Sequence, residues 1–382
     1  MVIVILTRCQ DRFGYWNVID FEMIKIPDIR YSSRVAVMRG TLKRRGIDGF
    51  LVTDIHNIRY LTGFSGSSSL LLITGKKDIF ATDFRYKEQA DKEIQGWDII
   101  LERQDMLTTV KKLSQKIGIK RLGIESSISY EFFRKLSRYL NLRSFKGLIE
   151  RLRAVKDSGE MHLIKEAVKR AESAFLEVRP YIKQGMKERA IALRLEESLK
   201  KKGCRRIPFD IIVASGPNSA MPHARPTERK LNEGDLVILD WGGEADGYFS
   251  DMTRTFLIGK GNDINKKKEI YKSVLEANKR AIAKVTSGID STVVDGSARE
   301  VIKKAGYGEF FGHGTGHGIG LQVHELPRIT WSKREVIQEN MVFTIEPGIY
   351  LPGIGGVRIE DTVVIKKRGV DNLTPLEKEL EI

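Results

Sequence analysis

GDLVILDWGGEADGYFSDMTRTFLIG, residues 234–259, sets two β-rich runs on either side of Glu244, Ala245, Asp246 and Gly247. Apolar and β-branched runs around a short polar cluster ending in glycine predict an antiparallel hairpin. Each run carries an aspartate beside its apolar residues, Asp240 in the first and Asp251 at the head of the second. A turn centred on Ala245 and Asp246 sets the two aspartates directly opposite each other, with Cβ atoms about 4.5–5.5 Å apart. A turn centred one residue later pairs Asp240 with Thr253 and leaves Asp251 two residues along. Both registers put the two carboxylates on one face.

A second hairpin is predicted in MVFTIEPGIYLPGIGGVRIEDTVVI, residues 341–365, where Glu346 ends one β run and Glu360 lies within the next, joined by a Pro/Gly-rich loop. Between the two hairpins lies HGTGHGIGLQVHE, residues 313–325, whose glycines let the backbone pass close to a metal or substrate. Of six histidines, His223, His313, His317 and His324 fall between 223 and 324, a clustering that ordinary core use does not explain. The glycine-rich stretch has no Gly-Lys-Ser/Thr ending and no GxGxxG opening a helix, which argues against a nucleotide loop. Four carboxylates driven into an interior repel one another unless cations hold them. One imidazole among four oxygen donors suits two hard or borderline divalent ions such as Mn, Co or Fe.

On these residues the chain resembles the Xaa-Pro peptidases, the aminopeptidase P and prolidase group of the pita-bread metallopeptidases. The resemblance runs from about residue 30 onward. It is carried by LDWGGEADGYFSDMTRTF, HGTGHGIGLQVHELPRI, TIEPGIY and VRIEDTVVI, and less specifically by DGFLVTDIHNIRYLTGFSGSSSLLLI, ATDFRYKEQA and the junction LRAVKDSGEMHLIKEAVKRAESAF. It implies an α/β chain: a smaller creatinase-type α/β N-terminal domain over 23–153, then an α+β pita-bread catalytic domain over 154–382.

The resemblance further implies that Asp240, Asp251 and Glu360 ligate one or both of two divalent ions, with Asp251 and Glu360 as bridges. His317 and Glu346 complete the set, and Glu346 shuttles the proton. The ions it implies are Mn or Co, with Fe or Zn as alternatives. His223, in MPHARP, and His324 match histidines that contact substrate or steady the transition state; His313 lines the same pocket and Arg358 braces the site. Arg328, in HELPRI, sits where some dipeptide-cleaving members bind a product-side carboxylate, whereas Arg85, Lys87 and TDFRY look more like short aminopeptidase P enzymes. The implied substrates are peptides with proline second, attacked by a metal-bridging hydroxide, and the implied assembly is a homodimer. The competing reading is a non-catalytic pita-bread binding protein associated with RNA through its basic N-terminal domain, but such a protein would be expected to have lost ligands.

At 382 residues the chain exceeds the usual span of a single core, so two domains are expected. Of its net charge of +15, +11 falls in residues 1–153. The basic clusters there, Lys43 to Arg45, Lys76 with Lys77 and Lys111 with Lys112, are short and lack interleaved aromatics, so they read as solvated faces rather than a nucleic-acid platform. Cys9 and Cys204 offer neither a disulfide framework nor metal spacing, which points to a reducing, cytoplasmic compartment. MVIVIL at the start is too short for a signal or membrane segment, and no later apolar run reaches about 18 residues. Residues 1–22 fit neither domain pattern and read as an extension arising from an upstream start, Met23 standing before the first family-like sequence.

Short apolar runs alternate with helix-like segments over residues 30–150, including Ser32 to Arg45 and Tyr130 to Leu140, which predicts a small mixed sheet. Asp157 and Glu160 stand at capping-box spacing before an apolar stripe of Met161, Ile164, Val168, Ala171, Phe175 and Val178. Further helices are expected over Lys187 to Lys202, stopped by Gly203, then Lys266 to Val285 and Thr292 to Ala305. Helices, hairpin, helices, hairpin is a duplicated order, as two pseudo-symmetric halves closing on one site would give.

Overall fold

The structure, a computed structural model, describes residues 31–103 and 105–381, and before them only the backbone of the short strands Val2–Ile3, Arg8–Gln10, Trp16–Val18 and Ile24–Lys25. The reading of residues 1–22 as an extension, the start at Met23 and the state of Cys9 lie outside the described residues.

The first part is built on six strands in the order Asn141–Phe145, Arg121–Glu125, Gly49–Val52, Ser69–Thr74, Asp78–Asp83, Asp98–Glu102. The sheet is mixed: the Ser69–Thr74 strand is antiparallel to both neighbours, and the remaining pairings are parallel. Its central strands read as unbroken apolar runs because both faces are covered. Phe50, Val52, Leu71, Ile73 and Phe80 enter one core, while Leu51, Leu70, Leu72, Ile79 and Ala81 enter the other. That is the alternation a pleated strand imposes.

The second part opens on helix Ser158–Val178, where Asp157 and Glu160 form the expected reciprocal capping box. The apolar stripe is buried from Ile164 to Val178, with Met161 half-buried at its start. Helix Glu188–Lys201 follows, then a three-stranded sheet of Ile212–Ser215, Leu236–Trp241 and Met252–Leu257. The second half repeats the theme with helices Ile264–Lys284 and Ser291–Lys304 and a five-stranded sheet, in which Gly316–Gly318 and Glu325–Ile329 extend the pair Val342–Ile345 and Asp361–Ile365. Each half has its own core, one around Trp241 and Phe256, the other around Phe343 and Ile345.

The structure selects one of the two open registers and changes two expectations. In the first hairpin Asp240 pairs with Thr253, and Glu244 and Ala245 pair with Phe249 and Tyr248, so the later of the two registers is the one adopted. The reason is local: Asp246 and Gly247 both take positive φ, 44° and 78°, as a two-residue turn matched to strand twist requires. In the second, the Pro/Gly-rich loop is itself a hairpin, Gly348–Leu351 against Gly355–Arg358. Consequently Glu346 and Glu360 both lie at the break between that hairpin and the sheet, and Glu360 bridges instead to Thr253 of the first hairpin. Helix Tyr130–Leu136 also stops short of Leu140, with Ser137 as its C-cap.

Polar contacts lock these pieces together. Arg59, in the first part, donates to the Asp246 carbonyl at 2.7 Å and to its carboxylate at 2.9 Å, holding the turn of the first hairpin. Arg254, 1% exposed, joins the two halves by donating to the carbonyls of Thr253, Glu360, Thr374 and Leu376 and to the Asp361 carboxylate at 3.0 Å. Removing this cation takes the donor from the buried carbonyls of Glu360, Thr374 and Leu376 and leaves Asp361 with Lys378, at 2.7 Å, as its remaining cation, so Arg254→Met is expected to lower unfolding free energy by about 3–5 kcal/mol. Urea denaturation measures this, and a loss below about 1 kcal/mol would show that the junction does not depend on the guanidinium.

Candidate metal centre

Asp251, Glu346 and Glu360 lie just outside a strand, while Asp240 and His317 sit within one, the first near its end and the second at a shift of register. Asp240 is the penultimate residue of its strand, and Asp251 immediately precedes the next. Glu346 follows Val342–Ile345, its N–H donating to the Thr315 carbonyl at 2.7 Å. Glu360 precedes Asp361–Ile365, and its N–H donates to the Thr253 carbonyl at 3.1 Å. His317 is the middle residue of Gly316–Gly318. The glycines beside it also meet a packing demand: a Cβ on Gly316, which lines the cavity, would lie 1.8 Å from the Thr344 carbonyl oxygen, and one on Gly318 2.0 Å from that of Leu326.

Asp251, His317 and Glu360, all buried, bring donor atoms within 4.8 Å of one another. His317 Nδ1 lies 3.2 Å from the Gly318 carbonyl oxygen and donates its hydrogen there, which turns the Nε2 lone pair toward Asp251 Oδ2 at 3.6 Å and Glu346 Oε1 at 3.3 Å. Burial, reinforced by His324 and Arg328, pushes the His317 imidazole down to about 3, so it is neutral and able to ligate. Glu360 Oε2 accepts from Thr253 Oγ1 at 2.7 Å, and Asp240 Oδ2 from Arg358 at 2.6 Å. Their second oxygens, Glu360 Oε1 and Asp240 Oδ1, are buried without a partner among the described residues, as is Asp251 Oδ1.

Burial and mutual repulsion hold Asp251 and Glu360 well above the usual carboxylate range, and burial pushes Glu346 up to about 7. An unpaired buried charge of this kind costs several kcal/mol. A set of hard oxygen donors with one imidazole, its free lone pairs converging, is therefore the arrangement that divalent cations neutralise. The residues present fit such ions.

Around this cluster a cavity of about 750 Å³ opens, with Phe209, Ile211 and Val323 on its apolar wall. His223, His313, His324, Arg328 and Arg358 all line it, so the structure gathers every candidate residue at one place. They differ in what they are free to do. The guanidinium of buried Arg358 is spent on protein atoms, donating to Asp240, to the Pro222 carbonyl, to Tyr350 Oη and to Thr253 Oγ1, which makes it a brace. His313 donates from Nδ1 to the Gly314 carbonyl and accepts at Nε2 from Tyr350, whose oxygen in turn receives Arg358; burial pushes His313 down to about 4. His324 and His223 are exposed to the cavity, the His324 ring centred 4.3 Å from that of His317. Arg328 pairs across the sheet from His317 and, among the described residues, has no carboxylate on its guanidinium.

Tyr350, Thr253 and Thr344 were not singled out from sequence, although each orients a candidate ligand or its brace; Thr344 Oγ1 both accepts from the His317 N–H and donates to Glu346. For Thr253 a signal existed in the alternative register, which set it opposite Asp240. Tyr350 carried none, because its partners, His313 and Arg358, meet it only once the chain has folded.

Comparison with known proteins agrees with this geometry. Residues 162–367 match metallopeptidase family M24 and residues 34–155 the creatinase/prolidase N-terminal domain. A Xaa-Pro dipeptidase of Pyrococcus horikoshii is 40% identical over 344 residues, spanning 89% of this chain and 96% of that one. Among solved structures, a Xaa-Pro dipeptidase from Bacillus anthracis superposes with a TM-score of 0.89 at 38% identity, over 92% of this chain and 100% of the other. An X-Pro aminopeptidase from Thermotoga maritima does so with a TM-score of 0.83 at 37% identity, over 91% and 99%. With its buried Asp/His/Glu cluster, its creatinase-type leading domain and its pita-bread fold, this chain belongs to metallopeptidase family M24.

Proposed function

We propose that the protein hydrolyses the bond between an N-terminal residue and a following proline, with two divalent ions, Mn or Co foremost, held by Asp240, Asp251, His317, Glu346 and Glu360. The observation that carries this reading is the convergence of three unpaired buried carboxylate oxygens and the His317 lone pair on one cavity. When bound, such an ion pair supplies Lewis acidity and a water of lowered pKa.

The chain's own residues do the remaining work. Glu346, facing the cavity beside His317, would take a proton at its carboxylate from the water that adds to the carbonyl carbon and return it to the proline nitrogen as the carbon–nitrogen bond breaks. His324 and His223, whose rings reach the open cavity, donate to the carbonyl oxygen as negative charge builds there, each contact contributing a few kcal/mol. The Arg358 guanidinium fixes Asp240 and, through Tyr350, His313, so these groups need not reorganise during reaction. The apolar wall of Phe209, Ile211 and Val323 suits a pyrrolidine ring. Arg328, half-buried in the wall with an unclaimed guanidinium, suits the carboxylate that lies directly after proline in a dipeptide, which favours dipeptides over longer substrates. The relatives' names include both dipeptidase and aminopeptidase.

Three outcomes are expected. Chelated protein should cleave neither Xaa-Pro dipeptides nor Xaa-Pro-Yaa tripeptides and regain activity with Mn or Co, with elemental analysis finding two ions per chain; metal bound at that ratio without cleavage of either peptide would reject the reading. Glu346→Ala should cut kcat by about 10²–10⁴-fold, and a near-normal rate would remove it from proton transfer. Arg328→Ala should raise KM for dipeptides about 10–100-fold, the loss of one charge-assisted contact, while leaving tripeptides largely unaffected; equal effects on both lengths would refute carboxylate recognition.

A further inference from the structure

Arg153 lies at the end of helix Leu148–Ala154, in the stretch that joins the two parts, and is 2% exposed. Its guanidinium reaches both ways. One nitrogen donates to Asn57 Oδ1 at 2.9 Å; Asn57 Nδ2 donates to Glu125 at 2.7 Å and Glu150 at 2.8 Å, and Glu125 accepts the N–H groups of Thr53 at 2.7 Å and Asp54 at 2.9 Å. The other nitrogen donates to Gln322 Oε1 at 3.0 Å and forms a short ion pair with Glu325, so that it grips both ends of the turn containing His324. Glu325 Oε1 also accepts the Gln322 N–H at 2.9 Å, and Lys156 Nζ approaches Glu325 Oε2 at 3.4 Å. This is a buried ionic network running from the N-terminal sheet to the turn at the cavity wall.

Stability is a poor account of it. Buried ion pairs seldom outperform apolar residues of the same shape, and Arg153 Nε is left buried without a partner, a further cost. What the network does hold is an irregular segment. Residues 320–324 have no helix or strand, and the pairing between the flanking strands slips from His317 opposite Arg328 to Gly318 opposite Glu325. His324 has no ladder bond of its own and stands between Gln322 and Glu325, the two side chains that Arg153 holds.

We propose that Arg153 is a positioning residue: through Glu325 and Gln322 the N-terminal part sets where His324 stands in the cavity. The proposal rests on the peptidase reading for its kinetic consequence alone. Arg153→Lys keeps the charge and loses the fork whose one nitrogen holds Asn57 and whose other holds Gln322 and Glu325. With Xaa-Pro dipeptide and saturating Mn, it is expected to lower kcat about 10–100-fold, a misplacement effect, with thermal midpoint and bound metal nearly unchanged. In a His324→Ala background the same substitution should cost less than about twofold, since coupled residues do not add. Glu325→Gln, which keeps shape and loses charge, should reproduce this pattern from the other end of the pair.

Amide hydrogen exchange of residues 318–328 supplies a readout independent of turnover: it should quicken about tenfold in both variants while helix Ser158–Val178 stays protected. Equal kcat losses with and without His324, or unchanged exchange in this segment, would overturn the proposal. Were the wild-type protein inactive on Xaa-Pro peptides, the exchange comparison would still decide whether Arg153 holds the turn, and the substrate reading alone would fall.

Discussion

Buried negative charge that the polypeptide leaves uncompensated is the constraint on which this structure turns. Asp240, Asp251, Glu346 and Glu360 converge beside His317, and Arg358 is the cation bonded directly to the group, through Asp240. An apolar cluster of the same size would be cheaper to fold. Asp251, Glu346 and Glu360 sit just beyond strand ends, where a residue leaving the ladder can aim away from the sheet's own faces, so that segments of more than one sheet address one point.

Much of the surrounding architecture keeps that costly group in place. Thr253 illustrates the economy: its hydroxyl donates to Glu360 and accepts from Arg358, while its carbonyl accepts the Glu360 N–H and Arg254. Arg254 beneath it ties the two halves, and Arg358 above ties the hairpins to Pro222 and Tyr350. Rigidity of this kind is what the proposed acid–base and Lewis-acid chemistry needs, because groups already oriented do not reorganise when charge develops. The apparent destabilisation at the centre and the over-determined polar shell around it are two sides of the same demand.

Local rules were readable wherever one segment decided its own outcome. The Asp157/Glu160 box, the stripe from Ile164 to Val178 and the Gly203 stop, with its positive φ of 95°, all follow from nearest neighbours along the chain. The first hairpin's face was also readable, since both registers placed Asp240 and Asp251 together; which register holds depended on Asp246 accepting a left-handed conformation that Arg59 then supports from another part of the molecule. The Pro/Gly-rich stretch misled for a related reason. Gly356 fits a strand because its missing Cβ would lie 2.0 Å from the Ser219 carbonyl oxygen, so its glycine reports a neighbour rather than a loop.

By itself the sequence determined most of the elements, the two-part organisation and which acids and histidines meet at one cavity, because periodicity, capping and residue type act over a few residues and the residue set is distinctive in kind. Only tertiary structure decided which of those side chains are free to act: Arg358 and His313 are consumed by hydrogen bonds, whereas Arg328, His324 and His223 face open space. The Tyr350 link and the Arg153 network likewise exist only once segments far apart in the chain meet. A side chain's chemistry is carried by its identity, but its availability is set by the partners that burial brings to it, and those partners are not its neighbours in sequence.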